Sequence, residues 1–315
     1  MLDFCLPLLI FLSAAAFRLT NLDLIEFKGD EAINLYLAAR PAFGYSFTPG
    51  STVSSIGLLN PPLLNYLLYP ITKISLDPQA ISFFIGLTNC LAIVFFYLII
   101  RHYYQQTIAL IASLLLTFSP WAIIFSRKIW PQDLTLPFFI LLFLSYQKIR
   151  NDQREKWWLV YVTISLFLVQ LHQVNLFFIS LLTIFLLLSK TKLNFIYIGT
   201  GLILGLIPLF PYFIYLINNL AHPEVFLVAK ERFSPEYFPV IFIRPLQLMS
   251  QGNFSFLLGE DTLTLAQNFP LAFKLRQIFY LEYLFLPLSV FLFWKKQFHD
   301  RPLIYDSLLL PVVYF

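Results

Sequence analysis

Long apolar stretches, separated by shorter polar loops, dominate the chain. A helix needs about 20 mostly apolar residues to cross the hydrocarbon core of a bilayer, with a usual range of about 17 to 25. The pattern therefore predicts an all-α membrane protein, a multispanning transmembrane helix bundle of about eight or nine spans. The candidate spans, some of them short as drawn, are residues 2–17, 80–100, 108–124, 134–146, 157–171, 174–188, 195–217 and 278–294.

The first and last apolar runs of the chain are each open to more than one interpretation. The alanines at 14–16 resemble a signal-peptide cleavage site, but the first residues lack the basic start of such peptides, so we expect the first helix to be retained. Residues 303–315 begin an apolar run that is too short to span and has no polar flank. We therefore expect residues 1–315 to form a single transmembrane domain that is C-terminally incomplete.

Positive charges cluster in short loops and predict the orientation. With the helices counted as above, these clusters fall on one side of the membrane, which the positive-inside rule makes cytoplasmic. The opposite, extracytoplasmic face then receives a first long loop, 18–79, and a second, 218–277. The clusters are Lys148, Arg150, Arg154 and Lys156; Lys190 and Lys192; and Lys295, Lys296 and Arg301, with Arg101 and His102 on the same side.

Composition agrees with a membrane protein. Hydrophobic residues make up 59% of the chain, charged residues only 12%, and the mean hydropathy is +0.75. An ordinary soluble domain has about a quarter charged residues, so that class is excluded, and two cysteines exclude a disulfide scaffold. The pI near 8.9 reflects basic loops rather than a nucleic-acid surface. We expect a multi-pass protein of the inner or plasma membrane, in contact with the lipid bilayer and with no nucleic-acid partner.

Common cofactor motifs are missing from the sequence. The four histidines are scattered, and HExxH, CxxC, D-x-D and a Walker lysine are all absent. A zinc ion held by the protein alone is not expected, and a nucleotide sugar would lack its usual ligands. No cofactor is therefore predicted, although a requirement for a divalent metal stays open.

Adjacent carboxylates in the first outer loop are the first candidate for chemistry. Asp30 and Glu31 stand at the start of a predicted surface helix. In the structural interpretation, Asp30 caps the helix and Glu31 favours the positive end of its dipole. In the functional interpretation, a carboxylate at the membrane boundary serves as a general base. The two roles are compatible. The positions that recur at helical spacing are Ile33, Tyr36, Leu37 and Arg40.

The same loop predicts a second surface helix. Asn60 can cap it, and Pro61 and Pro62 can open it, because a first helical turn does not need their missing amides. The leucines that follow form one apolar face, and membrane anchoring would be a sufficient role for this helix.

A cationic turn follows the third candidate span. Arg127 and Lys128, beside Trp121 and Trp130, could be interface anchors whose charged ends reach toward water. The alternative is an anion site, in which Arg127 makes paired hydrogen bonds to a phosphate. Asp133 would orient Arg127, and His172 could join as a further donor.

Together these motifs resemble the GT-C superfamily of integral-membrane, polyprenyl-phosphate-dependent glycosyltransferases, near the protein O-mannosyltransferases and the lipid A aminoarabinose transferases. The resemblance covers roughly residues 1–217. It implies that Asp30 is the base and that Arg127 helps to hold the donor phosphate. Aminoarabinose transferases usually have lysine before Pro-Pro, so Asn60 argues against that subfamily. The motifs are Gly29-Asp30-Glu31, Asn60-Pro61-Pro62-Leu63, and Ser126-Arg127 with Asp133.

The resemblance implies an inverting transfer of a sugar from a polyprenyl-phosphate donor to a hydroxyl of a lipid, glycan or protein acceptor on the extracytoplasmic face. Asp30 and Glu31 would be catalytic. A transporter or lipid flippase is the alternative, but charges inside the predicted spans are almost absent. A noncatalytic membrane subunit with the same fold also stays open. The residues expected to bind substrate are Arg127, Lys128, Asp133, His172, Asn60 and Arg40.

Overall fold

The computed structural model describes residues 2–53, 59–173, 175–189 and 191–219, together with 267, 268 and 270. These residues form α-helices joined by short loops, and they contain no β-strand. The predicted all-helical class is confirmed. The helices are α1 Leu2–Arg18, α2 Gly29–Ala39, α3 Leu63–Thr72, α4 Pro78–Tyr103, α5 Gln106–Phe118, α6 Pro120–Phe125, α7 Thr135–Arg150, α8 Trp157–Leu171, α9 Asn175–Leu188, α10 Phe195–Leu206 and α11 Phe210–Asn219.

Within the part of the chain that the structure describes, two helical segments are long and apolar enough to cross a membrane. One is α4, and the other is Phe195–Asn219, which joins α10 and α11 through a 3-10 turn at Ile207–Leu209. The other apolar helices are shorter than the roughly 20 residues of a full crossing. The candidate span at 278–294 lies outside the described residues, as does nearly all of the second long loop. The number of spans therefore stays a prediction.

A proline divides the predicted span 108–124 into two helices. Pro120 has no backbone N–H to donate, and Ser119 before it is extended, so α5 ends at Phe118. The hydroxyl oxygen of Ser119 then caps α6 by accepting a hydrogen bond from the Ala122 N–H at 3.4 Å. The prediction of one continuous helix here is wrong.

One end of the bundle, which we call the Asp152 end, brings basic loops together. The Tyr103 hydroxyl and the Lys148 ammonium donate to the Asp152 carboxylate at 3.1 Å and 2.7 Å, which joins the ends of α4 and α7. The Asn194 amide donates to the Glu155 carboxylate at 3.0 Å and links the next basic loop. The basic loops that were predicted to lie on one side of the membrane thus lie together at the Asp152 end of the bundle. Lys190, Lys295, Lys296 and Arg301 lie outside the described residues.

At the opposite end, which we call the Arg18 end, a buried arginine joins two helix ends. The Arg18 guanidinium, at the end of α1, donates to the carbonyls of Thr117 and Leu116, at the end of α5, at 2.9 Å and 3.0 Å. Helix α4 passes close by at Gly86, where a Cβ would lie 2.9 Å from Leu19 and 3.1 Å from the Arg18 carbonyl. A larger residue at position 86 would require the Leu19 side chain and the end of α1 to shift.

Helices α2 and α3 of the first loop pack onto the Arg18 end, over an apolar core shared with α4 and α8. Both loop helices were predicted, and α2 begins where expected. The core also includes residues of the cationic turn, so it holds the two candidate motifs against each other. Its buried members are Leu35, Ala38, Leu63, Leu64, Leu68, Ile81, Ile85, Ile129, Leu134 and Leu171.

Membrane sidedness can be tested with single cysteines at Asp152 and Asp30. We expect an impermeant thiol reagent to label position 30, and not position 152, in intact cells, because basic loops stay cytoplasmic. The parent protein, with its native Cys5 and Cys90, serves as the background control. Labelling at position 152 without labelling at position 30 would reverse the orientation. Gln297 and Glu236, outside the described residues, are predicted to face the cytoplasm and the exterior respectively.

Candidate active site

The start of α2 separates its two adjacent carboxylates. The Lys28 backbone N–H donates to the Glu31 carboxylate at 3.1 Å, so Glu31 folds back over the first turn and satisfies an amide that precedes the helix. Asp30, one residue earlier, is too close to the helix start to do this. The prediction that Asp30 caps the helix is therefore wrong, and the capping role belongs to Glu31.

The two carboxylates also differ in exposure. Glu31 is 1% exposed, whereas Asp30 is exposed and makes no hydrogen bond or ion pair with another described residue. An exposed carboxylate without a local partner can approach a substrate hydroxyl. A buried, capping carboxylate instead fixes the backbone that presents its neighbour.

A carboxylate that sequence analysis missed holds two lysines. Glu26 accepts from Lys28 through one oxygen at 2.6 Å and from Lys128 through the other. These contacts lower the pKa of Glu26, with Lys128 contributing most. Lys128 is 7% exposed and lies 4.3 Å over the Trp130 ring. We call Glu26, Lys28 and Lys128 the Glu26 cluster. In the sequence, the only nearby indication of this cluster was that Glu26 stands two positions before Lys28.

Arg127 holds the end of α1. Its guanidinium donates to the carbonyls of Thr20 and Asn21 at 2.8 Å and 2.6 Å, and to that of Phe17 at 3.3 Å. Among the described residues, Arg127 forms no ion pair with Asp133, so the prediction that Asp133 orients this arginine is wrong. The guanidinium instead points at backbone oxygens left unpaired where α1 ends.

Asp133 is a buried carboxyl group, 2% exposed. It accepts a hydrogen bond from the Trp130 N–H at 2.8 Å, and the Asn89 amide donates to its backbone carbonyl at 2.9 Å. Burial raises its pKa well above the ordinary range; Trp130 and Lys128 oppose this shift, whereas the charge of Glu31 adds to it. Lys128, Asp133 and Glu31 thus interact electrostatically in one buried region.

A buried amide network joins the first loop to the cationic turn. The Asn34 amide of α2 donates to the Ile129 carbonyl at 2.9 Å, and its oxygen accepts from the Ser51 hydroxyl at 3.0 Å. The Asn65 amide of α3 donates to the Gly50 carbonyl at 3.3 Å. Sequence analysis missed this network, although polar residues within apolar helix faces were a usable signal.

Asn60 pairs with Ser51 and Thr52 within the first loop and does not cap a helix. Its carbonyl accepts from the Ser51 N–H at 2.7 Å, and its own N–H donates to the Thr52 carbonyl at 2.8 Å. Its side-chain amide donates to the Thr52 hydroxyl at 3.3 Å. Pro62 precedes α3 directly, so the prediction that Asn60 caps this helix is wrong.

Two further predicted residues stand apart from the Glu26 cluster. The His172 ring, directly after α8, makes no hydrogen bond with another described residue, and burial lowers its pKa. The Arg40 guanidinium, directly after α2, lies 5.5 Å over the Tyr45 ring. Neither makes a hydrogen bond or ion pair with Arg127, Lys128 or Asp133 within the described part of the chain.

No metal centre is evident where the structure describes the chain. Over those residues, no group of three or more histidine, cysteine, aspartate or glutamate side chains is close enough to hold an ion. The chemistry that the described residues can offer is an exposed carboxylate at Asp30, two residues after Lys28, and a second cation, Lys128, which shares Glu26 with Lys28.

Asp133→Asn should stabilise the purified protein at neutral pH. Because the folded-state pKa of Asp133 is raised, its contribution to stability is complete below the ordinary value of about 3.9 and is lost as the pH rises toward the raised value. Asparagine still accepts from the Trp130 N–H and carries no charge. Melting temperatures in detergent from about pH 4 to about pH 8 should therefore diverge, with the variant increasingly above the wild type.

Asp133→Ala supplies the control for this experiment. It leaves the Trp130 N–H without its acceptor, a loss of about 1 to 3 kcal/mol in the free energy of unfolding. If the melting temperatures of the wild type and Asp133→Asn differ by the same amount at every pH, the charge of Asp133 does not destabilise the folded protein.

Comparison with known proteins identifies the group to which the central part of the chain is related. No curated protein and no solved structure matches the chain. Residues 60–215 match the family model described as dolichyl-phosphate-mannose-protein mannosyltransferase. This segment contains α3, the cationic turn, the helices from α4 to α10 and the first part of α11. The resemblance seen in the sequence is confirmed: residues 60–215 carry the signature of a GT-C superfamily family of membrane glycosyltransferases.

Proposed function

We propose that the protein is an inverting glycosyltransferase that moves one sugar from a polyprenyl-phosphate carrier to an acceptor hydroxyl. The family match supports membrane glycosyl transfer. The observation that carries the proposal is the placement of the exposed carboxylate of Asp30 two residues after Lys28, which shares Glu26 with Lys128. The proposed base thus lies within one helical turn of one cation, Lys28, which is joined to a second cation, Lys128, through Glu26.

Asp30 is the proposed general base. It would take the proton of the acceptor hydroxyl as that oxygen attacks the anomeric carbon from the face opposite the phosphate. The carbon–oxygen bond to the phosphate breaks in the same step, and its electrons remain on the phosphate. A phosphate is already a good leaving group, so no second carboxyl is needed to protonate it, in contrast to glycoside hydrolysis.

Glu31 positions Asp30 in this proposal. Its carboxylate binds the Lys28 N–H and fixes where α2 begins, and with it the direction of the Asp30 side chain. The amide network of Asn34 and Ser51 holds the rest of α2 against the cationic turn. The base and the phosphate-binding groups are thereby kept at a fixed separation before substrate arrives.

Lys128 is the main proposed partner of the donor phosphate, and Arg127, its neighbour in the cationic turn, is proposed as a secondary one. Lys128 is buried beside Asp133, so its ammonium acts where little water screens it. Arg127 is bound to backbone carbonyls at the end of α1, and we assign it mainly to holding the cationic turn in place. Three further contacts with the donor or acceptor are proposed at the same end of the bundle: Arg40, Asn60 and His172.

The membrane setting supports a lipid-linked donor. Large apolar side chains are exposed on α1, α2 and α4 near this region, where they can contact lipid or a polyprenyl chain: Phe17, Ile33, Tyr36, Phe83 and Phe84. Nucleotide sugars are cytoplasmic, whereas we place this site on the extracytoplasmic face of the inner or plasma membrane. The acceptor would be a lipid, glycan or protein that reaches the same face.

Asp30→Asn should lower the rate of sugar transfer by about a hundredfold to ten-thousandfold, the usual contribution of a general base. Its melting temperature should stay close to that of the wild type, because Asp30 makes no hydrogen bond with another described residue. Rates are measured with purified protein at saturating donor. Near-native transfer by a correctly inserted Asp30→Asn protein would remove Asp30 from catalysis.

Two variants serve as controls for Asp30→Asn. Asp77→Asn changes an exposed carboxylate of the same loop but keeps an oxygen for the Gln79 N–H, so transfer should be unaffected. Glu31→Gln keeps an acceptor for the Lys28 N–H and should reduce transfer less than Asp30→Asn does.

The donor class can be tested directly. Purified protein should transfer sugar from a polyprenyl-phosphate sugar, and it should not use the matching nucleotide sugar when no lipid carrier is present. The physical reason is the absence of D-x-D and of a glycine-rich phosphate loop from the sequence, which leaves a diphosphate without its usual ligands. Robust turnover with the nucleotide sugar alone would overturn this assignment.

A further inference from the structure

We propose that the Glu26 carboxylate holds the place of the donor phosphate between Lys28 and Lys128, and that it is displaced when the donor binds. The proposal rests on the glycosyltransferase function proposed above. It assigns Lys28 and Lys128 as the two cationic walls of the phosphate subsite and Glu26 as its internal competitor.

The geometry of the cluster supports an exchange of anions. Each Glu26 oxygen contacts a different ammonium group, that of Lys28 at 2.6 Å and that of Lys128. Two terminal oxygens of a phosphate can make the same pair of contacts. The side chains of Lys28 and Glu26 are 77% and 33% exposed, whereas that of Lys128 is 9% exposed. The cluster is thus open on the Lys28 side, from which a phosphate can approach.

The arginine next to this subsite is less available for such an exchange. Three backbone carbonyls accept hydrogen bonds from Arg127, and a phosphate that recruited this group would have to release the end of α1. The ammonium groups of Lys28 and Lys128 instead both contact the partly exposed Glu26 carboxylate, which holds no helix end in place. Because Glu26 can turn toward water once it is replaced, the exchange does not leave a buried charge behind.

The charge of the two lysines matches the phosphate product better than it matches the donor. The donor is a phosphodiester with one negative charge, so it replaces the single charge of Glu26 without changing the total. Transfer of the sugar leaves a phosphate monoester, whose charge approaches −2 near neutral pH. The two ammonium groups match that charge once Glu26 has moved away. The subsite therefore stabilises the charge that grows on the leaving phosphate, which is the condition for lowering the barrier.

Glu26→Gln tests the exchange, because removal of the competing anion should tighten phosphate binding. The dissociation constant of purified protein for polyprenyl monophosphate should fall about three- to tenfold, the scale of a partly exposed ion pair. Polyprenol without phosphate measures binding of the chain alone and should be unaffected. Glu155→Gln, a hydrogen-bonded carboxylate at the Asp152 end, makes the same change in net charge and should not alter binding.

Lys28→Gln gives a second, independent readout at an exposed side chain. It should weaken binding of polyprenyl monophosphate about three- to tenfold and leave binding of polyprenol unchanged. In the double variant Glu26→Gln/Lys128→Gln, the gain seen with Glu26→Gln alone should disappear. Melting temperatures identify variants that have not folded.

The outcomes separate this proposal from the function on which it rests. If the wild type neither binds polyprenyl monophosphate better than polyprenol nor transfers sugar from a polyprenyl-phosphate donor, the proposed function fails. If the wild type does both, but folded Glu26→Gln binds the monophosphate no more tightly or folded Lys28→Gln binds it equally well, the exchange at Glu26 is wrong while the function stands.

Discussion

Two arginines that donate to the carbonyl ends of helices hold the candidate site together. The last carbonyls of a helix lack intrahelical partners and carry the negative end of its dipole, and in or near a bilayer little water is available to satisfy them. Arg18 binds the end of α5, and Arg127 binds the chain where α1 ends. Since Arg127 belongs to the cationic turn and Arg18 leads into the first loop, these bonds bring both motifs together.

The apolar core and the amide network then fix the distance between the motifs. Leu35 and Leu64, from the loop helices, are buried against Ile129 of the cationic turn. Asn34 adds a directional bond to the Ile129 carbonyl, which apolar packing alone cannot supply. A site assembled in this way is formed before substrate arrives, so less ordering remains to be done at the moment of reaction.

Sequence predicted the elements better than the contacts between them. Helix α8 was placed at 157–171, as observed, because its apolar run ends sharply at polar residues. The break at Pro120 was missed, although proline was a local signal for it. Glu26 and Arg18 were missed for another reason: their partners, Lys128 and Thr117, lie far away in the sequence, and no periodicity reveals such pairs.

The capping errors have a more local cause. Asp30 and Glu31 are adjacent carboxylates, and composition cannot say which of them folds back over the helix start. Side-chain length decides it: the longer Glu31 reaches the Lys28 N–H from the third helical position, which leaves Asp30 exposed. Asparagine is a common capping residue, but Asn60 lies two residues too early in the chain to cap α3. Its side-chain amide donates to the Thr52 hydroxyl instead. The assignment of Asp30 as base and Glu31 as positioning residue rests on this difference.

The arginines hold helix ends and the lysines are proposed to bind phosphate, and this difference follows from the shapes of the two side chains. A planar guanidinium with five fixed donors suits several carbonyls at once, and neither Arg18 nor Arg127 can leave its helix end without breaking more than one bond. An ammonium group is a compact charge on a flexible stem, so it can change partners without a matching fork geometry. Lys28 and Lys128 are therefore suited to a subsite that must hold a carboxylate at rest, a phosphodiester on binding and a phosphate monoester after transfer.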